Sequence, residues 1–209
     1  MCNLYRMTKG TAEVARLFAV EPDLAANYGA EVYPGYPGLV VAEGRARVMN
    51  WGFPLVLKGK QGQPLKPKPV TNAREDKLDT AFWRDSFMRR RCLIPVSQWA
   101  EPRGAPGKMV RSWYGLPGEE VFAVAGLWRH SAEWGAVYTM VMTASCAQMD
   151  DVHDRMPVIL RREQWEQWTS ARFEDAFALC TTWPDLLTAE HTNLRWADGV
   201  PMPEQAGLL

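Results

Sequence analysis

Short apolar runs follow one another through the middle of this sequence and limit the folds it can adopt. Between residues 92 and 143 the runs cover residues 92–96, 109–115, 121–128 and 137–143, and polar or turn-forming stretches separate them. Runs of this length, rich in valine and aromatic side chains, are typical of strands. Residues 39–42 and 46–51 indicate two further strands, joined at Glu43-Gly44.

Helices are predicted only around this strand-rich centre. Residues 11–20 carry an apolar stripe at helical spacing behind a predicted cap at Thr11. Further helices are predicted at residues 79–91, 162–169 and 184–190, and a surface loop at residues 58–69, whereas residues 173–180 fit neither helix nor strand clearly. The pattern predicts an α+β fold, a β-rich domain with peripheral helices, rather than an alternation of strands and helices.

Several classes of protein are excluded by what the sequence lacks. It has no glycine-rich phosphate loop, so a nucleotide cofactor is not expected. Its longest apolar run, through residues 121–128, is too short to cross a bilayer, and the first residues form no apolar signal region. We therefore expect a soluble cytoplasmic protein without a membrane partner.

The charge balance and the positions of the cysteines limit the kinds of binding site that the chain can have. The 24 basic and 24 acidic residues cancel, whereas proteins that bind nucleic acid non-specifically are usually basic, so any nucleic-acid site must be a local patch. The cysteines and histidines show no spacing typical of metal ligands, and no metal is expected. Cys92 lies in the apolar run Cys92-Leu93-Ile94-Pro95 and Cys180 follows Phe177-Ala178-Leu179, so both are predicted to lie in the core.

Cys2 differs from the other cysteines because of its position. Removal of Met1 would leave a free α-amine and a thiol on adjacent carbons of one residue. The amine condenses with an aldehyde to an imine, and the thiol then closes onto the imine carbon to give a five-membered thiazolidine. An α-amine has a pKa of about 7.7–8.0, so part of it is neutral and nucleophilic near pH 7, unlike an ordinary lysine.

Three internal segments accompany Cys2. Each has an ordinary structural explanation by itself: an asparagine that caps a turn, an arginine paired with an acid, a carboxylate at a strand end, a histidine in a loop. The segments are Thr71-Asn72-Ala73-Arg74-Glu75, Arg90-Arg91-Cys92-Leu93-Ile94-Pro95 with Glu101 after it, and His153-Asp154-Arg155-Met156-Pro157. In this order behind Met1-Cys2, and with Trp51-Gly52-x-Pro54 and Ala125-Gly126-Leu127-Trp128, they resemble the SOS response-associated peptidase (SRAP) family from Cys2 to about Leu160.

The resemblance implies a single compact domain over residues 1–197, in which the strands form a barrel-like sheet, with a loosely ordered tail at residues 198–209. It also implies self-processing that exposes Cys2 and a thiazolidine cross-link to the opened sugar of an abasic site. The implied partner is single-stranded DNA that contains abasic sites. The protein would be a monomer, and it would associate with the nucleoid when it is bound to DNA.

The same resemblance assigns roles to individual residues. Cys2 is the expected nucleophile, Asn72 the residue that holds its α-amine, and Glu101 and His153 the acid and base groups. Such groups suit the work, because imine formation and ring closure each move protons. Arg74 and Arg155 are expected to bind DNA phosphates, because an arginine fork matches phosphate oxygens. Trp51, Pro34 and Thr143 are the other expected DNA contacts. Trp51 or Trp99 is expected to stack on a base.

The sequence departs from the family pattern at two places. Asn3-Leu4 follows the cysteine where the family usually has Gly-Arg, and Arg6 is the predicted substitute for the lost arginine. The usual Gly-Phe-Tyr-Glu-Trp is here Gln98-Trp99-Ala100-Glu101-Pro102, which keeps the carboxylate but alters the wall of the pocket.

Two other functions remain open on the sequence. An N-terminal-nucleophile amidohydrolase would also use a freed Cys2, with its own amine as the base, but would turn over a small amide. A non-catalytic single-strand binding module would use Arg74, residues 89–91 and Arg155 as a basic face, and Cys2 would be dispensable.

Overall fold

The computed structural model describes residues 2–23 and 27–196. The tail predicted at residues 198–209 lies outside the described residues. The helices are α1 (Thr11–Phe18), α2 (Arg84–Arg89), α3 (Trp165–Ser170) and α4 (Phe173–Phe177), with short 3-10 helices at Glu75–Lys77, Ala147–Met149 and Arg162–Gln164. The strands are β1 (Tyr5–Arg6), β2 (Glu21–Pro22), β3 (Glu31–Val32), β4 (Pro37–Ala42), β5 (Arg45–Trp51), β6 (Phe53–Leu55), β7 (Lys68–Val70), β8 (Asn72–Arg74), β9 (Arg91–Val96), β10 (Gln98–Arg103), β11 (Val110–Gly115), β12 (Phe122–Ser131), β13 (Gly135–Ala144), β14 (Arg155–Pro157), β15 (Ile159–Leu160) and β16 (Thr188–Arg195).

The largest sheet closes on itself. Its strands follow the order β13-β12-β9-β4-β5, and β5 pairs back with β13 in parallel, Asn50 opposite Val137 and Trp51 opposite Tyr138. The ring of five strands is a barrel, which leaves these strands without free edges. The predicted α+β class, with a barrel-like sheet and peripheral helices, is therefore confirmed.

The barrel interior is filled by large aromatic side chains. The Tyr5 ring meets the edge of the Trp51 ring at a centroid distance of 5.1 Å, and the Tyr5 and Tyr138 hydroxyls are 2.5 Å apart. All three residues are fully buried, so each hydroxyl satisfies the other where water does not reach. Cys92 is also fully buried, as predicted, whereas Cys180 is only half-buried against the core.

A second sheet extends from the barrel. Its order is β16-β11-β10-β1-β3, and only Ser97 separates β9 of the barrel from β10. The chain therefore passes directly from one sheet to the other, and Glu101 lies on β10, just after this crossing. In the described part of the chain, none of the helices is long and apolar enough to cross a membrane.

Two segments flank the C-terminal half of β13. On one side β14 and β15 lie between β12 and β13, and Val158 bridges them with hydrogen bonds to Ala125 and Val141, each 2.9 Å. On the other side β8 runs parallel to β13, with Asn72 opposite Met140. The topology thus brings two distant sequence segments to the same end of one strand.

Two helix predictions need correction. The helix predicted at residues 184–190 is wrong, because Thr188–Arg195 is the edge strand β16, paired with β11. This segment has no apolar face of its own, but its backbone pairs with the otherwise open edge of β11. The helix predicted at residues 79–91 is limited to Arg84–Arg89, and Arg91 already belongs to β9.

The barrel tolerates no side chain at Gly126. A Cβ atom there would lie 2.7 Å from the Cys92 Sγ atom and 2.8 Å from the side chain of Ile94. We expect Gly126→Ala to lower the free energy of unfolding by about 1–3 kcal/mol, the usual cost of overpacking a core. Urea denaturation measures this, with Gly10→Ala as the control, because nothing lies within 4 Å of a Cβ atom at Gly10. Equal losses in both variants would contradict the proposed clash.

Candidate active site

Cys2 lies in the short segment before β1 and has no exposed surface. Its thiol donates a hydrogen bond to the Leu4 carbonyl oxygen, 3.5 Å away, and the same oxygen accepts one from the Ala100 N–H at 2.9 Å. The segment therefore continues alongside β10 toward Glu101. Burial raises the pKa of the Cys2 thiol far above its ordinary value, and the Glu101 carboxylate raises it further, so the buried thiol is protonated at neutral pH.

Asn72 holds the backbone of Cys2. Its Nδ2 atom donates to the Cys2 carbonyl oxygen at 2.8 Å and to the Thr71 hydroxyl at 2.8 Å. The Thr71 hydroxyl in turn donates to Asn3 Oδ1 at 3.2 Å, and the Thr71 carbonyl accepts the Trp51 indole N–H at 3.1 Å. Within the described residues the buried Oδ1 atom of Asn72 has no donor, so it is left as an acceptor beside residue 2.

Glu101 is a fully buried carboxyl group on β10. Burial raises its pKa to about 7, and the carboxylate of Asp154 also raises it. The contribution of Asp154 indicates that the loop before β14 approaches Glu101. A group with this pKa is populated in both protonation states at neutral pH, which is what a general acid or base requires.

His153 belongs to that loop, and 22% of its side chain is exposed. Its Nδ1 atom accepts the Arg155 backbone N–H at 3.0 Å and lies 3.0 Å from a carboxylate oxygen of Asp154. Burial lowers its pKa despite the nearby carboxylate. The ring is therefore mainly neutral at pH 7, and its Nδ1 atom lies between the backbone N–H of Arg155 and the carboxylate of Asp154.

The two predicted phosphate-binding arginines flank the end of β13, and each already has a carboxylate partner. Arg155 Nη1 lies 2.9 Å from Glu75 Oε1, an ion pair that links β14 to the segment after β8. Arg74 forms a two-pronged pair with Asp76, Nε to Oδ1 at 2.9 Å and Nη2 to Oδ2 at 2.8 Å. A phosphate that binds Arg74 must therefore compete with Asp76.

Three expected DNA contacts do not reach the surface. Trp51 and Trp99 have no exposed area, and Thr143 is 3% exposed. Trp51 fills the barrel and Trp99 stacks with Tyr114, so neither ring can stack on a base in this conformation. Base stacking by Trp51 or Trp99 and direct DNA contact by Thr143 stay predictions, and the burial of these side chains in the core does not support them.

Arg6, the predicted substitute for the missing arginine, is also engaged. Its guanidinium lies over the Trp113 ring, 3.6 Å from the centroid, and its Nε atom is 3.2 Å from Glu31 Oε1. It fastens β1 to β3 and β11 through these contacts. The prediction that Arg6 replaces the lost phosphate contact finds no support in this arrangement.

Pro34 lines a cavity of about 320 Å³ next to the N-terminal segment. Asn3 and Thr71 of the Asn72 network line the same cavity, and the other lining residues are Leu4, Tyr33, Pro69 and Trp196. Tyr33 and Trp196 were missed by the sequence reasoning. Trp196 follows β16, which the sequence predicted as a helix, and no local pattern indicates that this segment returns to residue 3.

A larger cavity, about 950 Å³, lies elsewhere and is lined by Phe18, Trp165 and Trp183 among others, with none of the predicted site residues. Size alone therefore does not identify the site. Among residues 2–23 and 27–196, no three His, Cys, Asp or Glu side chains are grouped as metal ligands.

Several known proteins are similar to this chain. The family model described as SOS response associated peptidase (SRAP) matches residues 1–196. Abasic site processing protein YoqW of Bacillus subtilis (strain 168) is 32% identical over 132 residues, which are 61% of this chain and 58% of that protein. Abasic site processing protein YobE of the same strain is 32% identical over 61% of this chain and 59% of its own length. The matches thus span less than two thirds of these relatives.

Solved structures share the fold. A protein from Bordetella bronchiseptica has a TM-score of 0.77 at 24% identity and covers 91% of this chain and 99% of its own. A protein from Bacteroides thetaiotaomicron has a TM-score of 0.76 at 18% identity, with 91% of both chains covered. At these identities the likeness concerns the fold alone.

Proposed function

This chain belongs to the SOS response associated peptidase family, and from that premise we propose that it forms a covalent cross-link through Cys2 with abasic sites in single-stranded DNA. The names of the relatives YoqW and YobE, abasic site processing proteins, support this substrate class. The observation that carries the proposal is the grouping of Cys2 with Asn72 and a buried carboxyl group, Glu101, whose pKa is about 7.

The first step of the proposal is hydrolysis of the Met1–Cys2 peptide bond, which frees the α-amine of Cys2. That amine attacks the aldehyde carbon of the opened abasic sugar, and loss of one water molecule leaves a C=N bond. The Cys2 sulfur then bonds to the same carbon while the thiol proton passes to the nitrogen. The product is a thiazolidine, and no oxidant or reductant is needed.

The side chains near Cys2 suit these steps. Asn72 holds the carbonyl group of residue 2 and offers Oδ1 to accept a hydrogen bond from the amine without protonating it. Glu101 takes a proton when the amine attacks and returns one when water leaves. The neutral ring of His153 takes the proton of the sugar C1 hydroxyl as the aldehyde forms, and the resulting imidazolium returns a proton to the ring oxygen.

The proposal is tested by incubating the purified protein with a single-stranded oligonucleotide that contains one abasic site. We expect a heat-stable band of protein plus DNA on a denaturing gel, and mass spectrometry of the reacted protein should show that Met1 is gone. An oligonucleotide of the same sequence without the abasic site is the control. A protein that lacks Met1 and still gives no adduct would contradict the proposed function.

We propose in addition that Arg74 contacts a DNA phosphate after Asp76 releases it. Arg74→Ala should weaken binding to single-stranded DNA and reduce the salt slope by about 0.7, the value for one phosphate contact. Asp76→Asn should tighten binding by at most about fivefold, since the ion pair that it removes is exposed and therefore weak.

Fluorescence anisotropy at several salt concentrations measures both effects. Asp79→Asn is the matched control, because it removes one exposed carboxylate that pairs with Arg84 instead. An Asp76→Asn variant that binds no tighter than Asp79→Asn would show that the release of Arg74 does not limit binding.

A further inference from the structure

We propose that Ser112 and His191 form a proton relay between the buried carboxyl group of Glu101 and the solvent. The relay rests on the proposed function, because it serves the role of Glu101 as an acid and base. It adds two residues, on β11 and β16, that no motif in the sequence indicates.

The register of the second sheet aligns the three residues in one row. Glu101 on β10 lies opposite Ser112 on β11, and Ser112 lies opposite His191 on β16. Residues directly opposite in antiparallel strands have their side chains on the same face, with Cβ atoms about 4.5–5.5 Å apart. The Ser112 hydroxyl is thus a direct neighbour of Glu101.

The row runs from the interior to the surface. Glu101 and Ser112 have no exposed area, whereas His191 is exposed on the edge strand. The His191 Nδ1 atom lies 3.0 Å from the Ser112 Oγ atom, within hydrogen-bond distance. The outer half of the relay is therefore in place, and the inner half is inferred from the register, which makes Glu101 and Ser112 cross-strand neighbours.

Glu101 needs such a connection because its surroundings are closed. On its own face of the sheet Trp99 and Tyr114 stack beside it, and both are buried. Among the groups that act on it from other segments are the protonated thiol of Cys2 and the carboxylate of Asp154. The Cys2 thiol is itself buried and does not reach bulk water.

The proton transfers balance without any further reactant. Outward, Glu101 gives its proton to Ser112 Oγ, the Ser112 proton passes to His191 Nδ1, and His191 releases a different proton from Nε2 to water. Inward, Nε2 takes a proton from water, Nδ1 returns its proton to Ser112, and Ser112 protonates Glu101. After an outward proton transfer the relay is ready for an inward one, and the reverse also holds. It therefore suits Glu101, which alternately accepts and donates a proton.

His191→Asn separates a relay from a structural hydrogen bond. The Asn Oδ1 atom can accept the Ser112 hydroxyl much as Nδ1 does, but an amide does not carry protons. Ser112→Ala removes the inner member as a second variant. His130→Asn is the matched control, an exposed histidine at the end of β12.

Two measurements apply to protein from which Met1 has been removed. The first is the single-turnover rate of cross-linking to abasic single-stranded DNA at low and high imidazole concentration. The second needs no DNA: after a pH jump across 7, infrared spectroscopy follows the carboxyl band that Glu101→Gln removes. Circular dichroism verifies that each variant is folded.

We expect His191→Asn and Ser112→Ala to slow both processes about ten- to a hundredfold at low imidazole, less than the loss of a general acid itself. Imidazole should restore much of the rate in His191→Asn, whereas His130→Asn should match the wild type. Wild-type exchange rates of the Glu101 band in folded His191→Asn and Ser112→Ala would overturn the relay. Absence of cross-linking by the wild-type protein would instead contradict the proposed function, and the infrared result would still decide the relay.

Discussion

Cys2→Ala is expected to abolish the heat-stable DNA adduct. The variant still has an α-amine once Met1 is removed, so it still condenses with the aldehyde. Without the thiol the imine cannot close to a thiazolidine and is hydrolysed again. We therefore expect no band on a denaturing gel, and a band only when a reducing agent such as borohydride traps the imine.

The controls for this prediction come from the chain itself. Cys146→Ala removes another thiol, one that is partly exposed, and should cross-link at the wild-type rate. A stable adduct from Cys2→Ala at the wild-type level would contradict the thiazolidine mechanism. Unchanged binding of undamaged DNA, without any adduct from the wild-type protein, would favour the binding module, and repeated release of an amine from a small amide would favour the amidohydrolase.

Glu101→Gln is expected to slow cross-linking by about 10²–10⁴, the usual worth of a general acid or base. Glutamine has nearly the same shape but cannot take up or release a proton near neutral pH. The wild-type rate should change with pH around 7, where burial places the pKa of Glu101, and the variant should lose this inflection. Single-turnover rates from pH 5 to 9 with pre-processed protein measure both effects.

Met1 retention distinguishes Glu101 from the other acid–base candidate. Glu101→Gln should also slow Met1 release, because this carboxyl lies next to residue 2, whereas His153→Ala should slow cross-linking but leave Met1 release nearly intact. Mass spectrometry of freshly expressed protein gives the retained fraction. Wild-type processing and cross-linking in both variants would remove both residues from the mechanism.

The same carboxyl group is expected to make stability depend on pH. Its pKa is about 7 in the folded chain, above the ordinary value of about 4.3 in an unfolded one, so the folded state binds more protons between these values. Its favourable contribution to folding is present at low pH and is lost as the pH rises from about 4 through 7. Glu101→Gln should remove this part of the pH dependence, and the variant should be at least as stable as the wild type at pH 8.

The local sequence was sufficient for the barrel strands and for the chemistry of residue 2. Each barrel strand is a short apolar run bounded by turns, and burial on a pleated surface favours such runs wherever they meet. The aminothiol of a processed Cys2 needs no partner to be recognised. The segments with Asn72, Glu101 and His153 could be related to it only through the family resemblance, because nothing in their spacing indicates that they meet.

Tertiary structure alone decided which side chains are available. Strand β16 has mostly exposed residues and no apolar periodicity, and it forms because the edge of β11 offers backbone hydrogen bonds. Trp51 was taken for a base-stacking residue, yet the closed barrel needs a large ring at its centre. The partner of Arg155, and the row that joins Glu101 to His191, depend on strand order and register. These contacts join residues far apart in the chain, and their energies arise only when the sheets assemble.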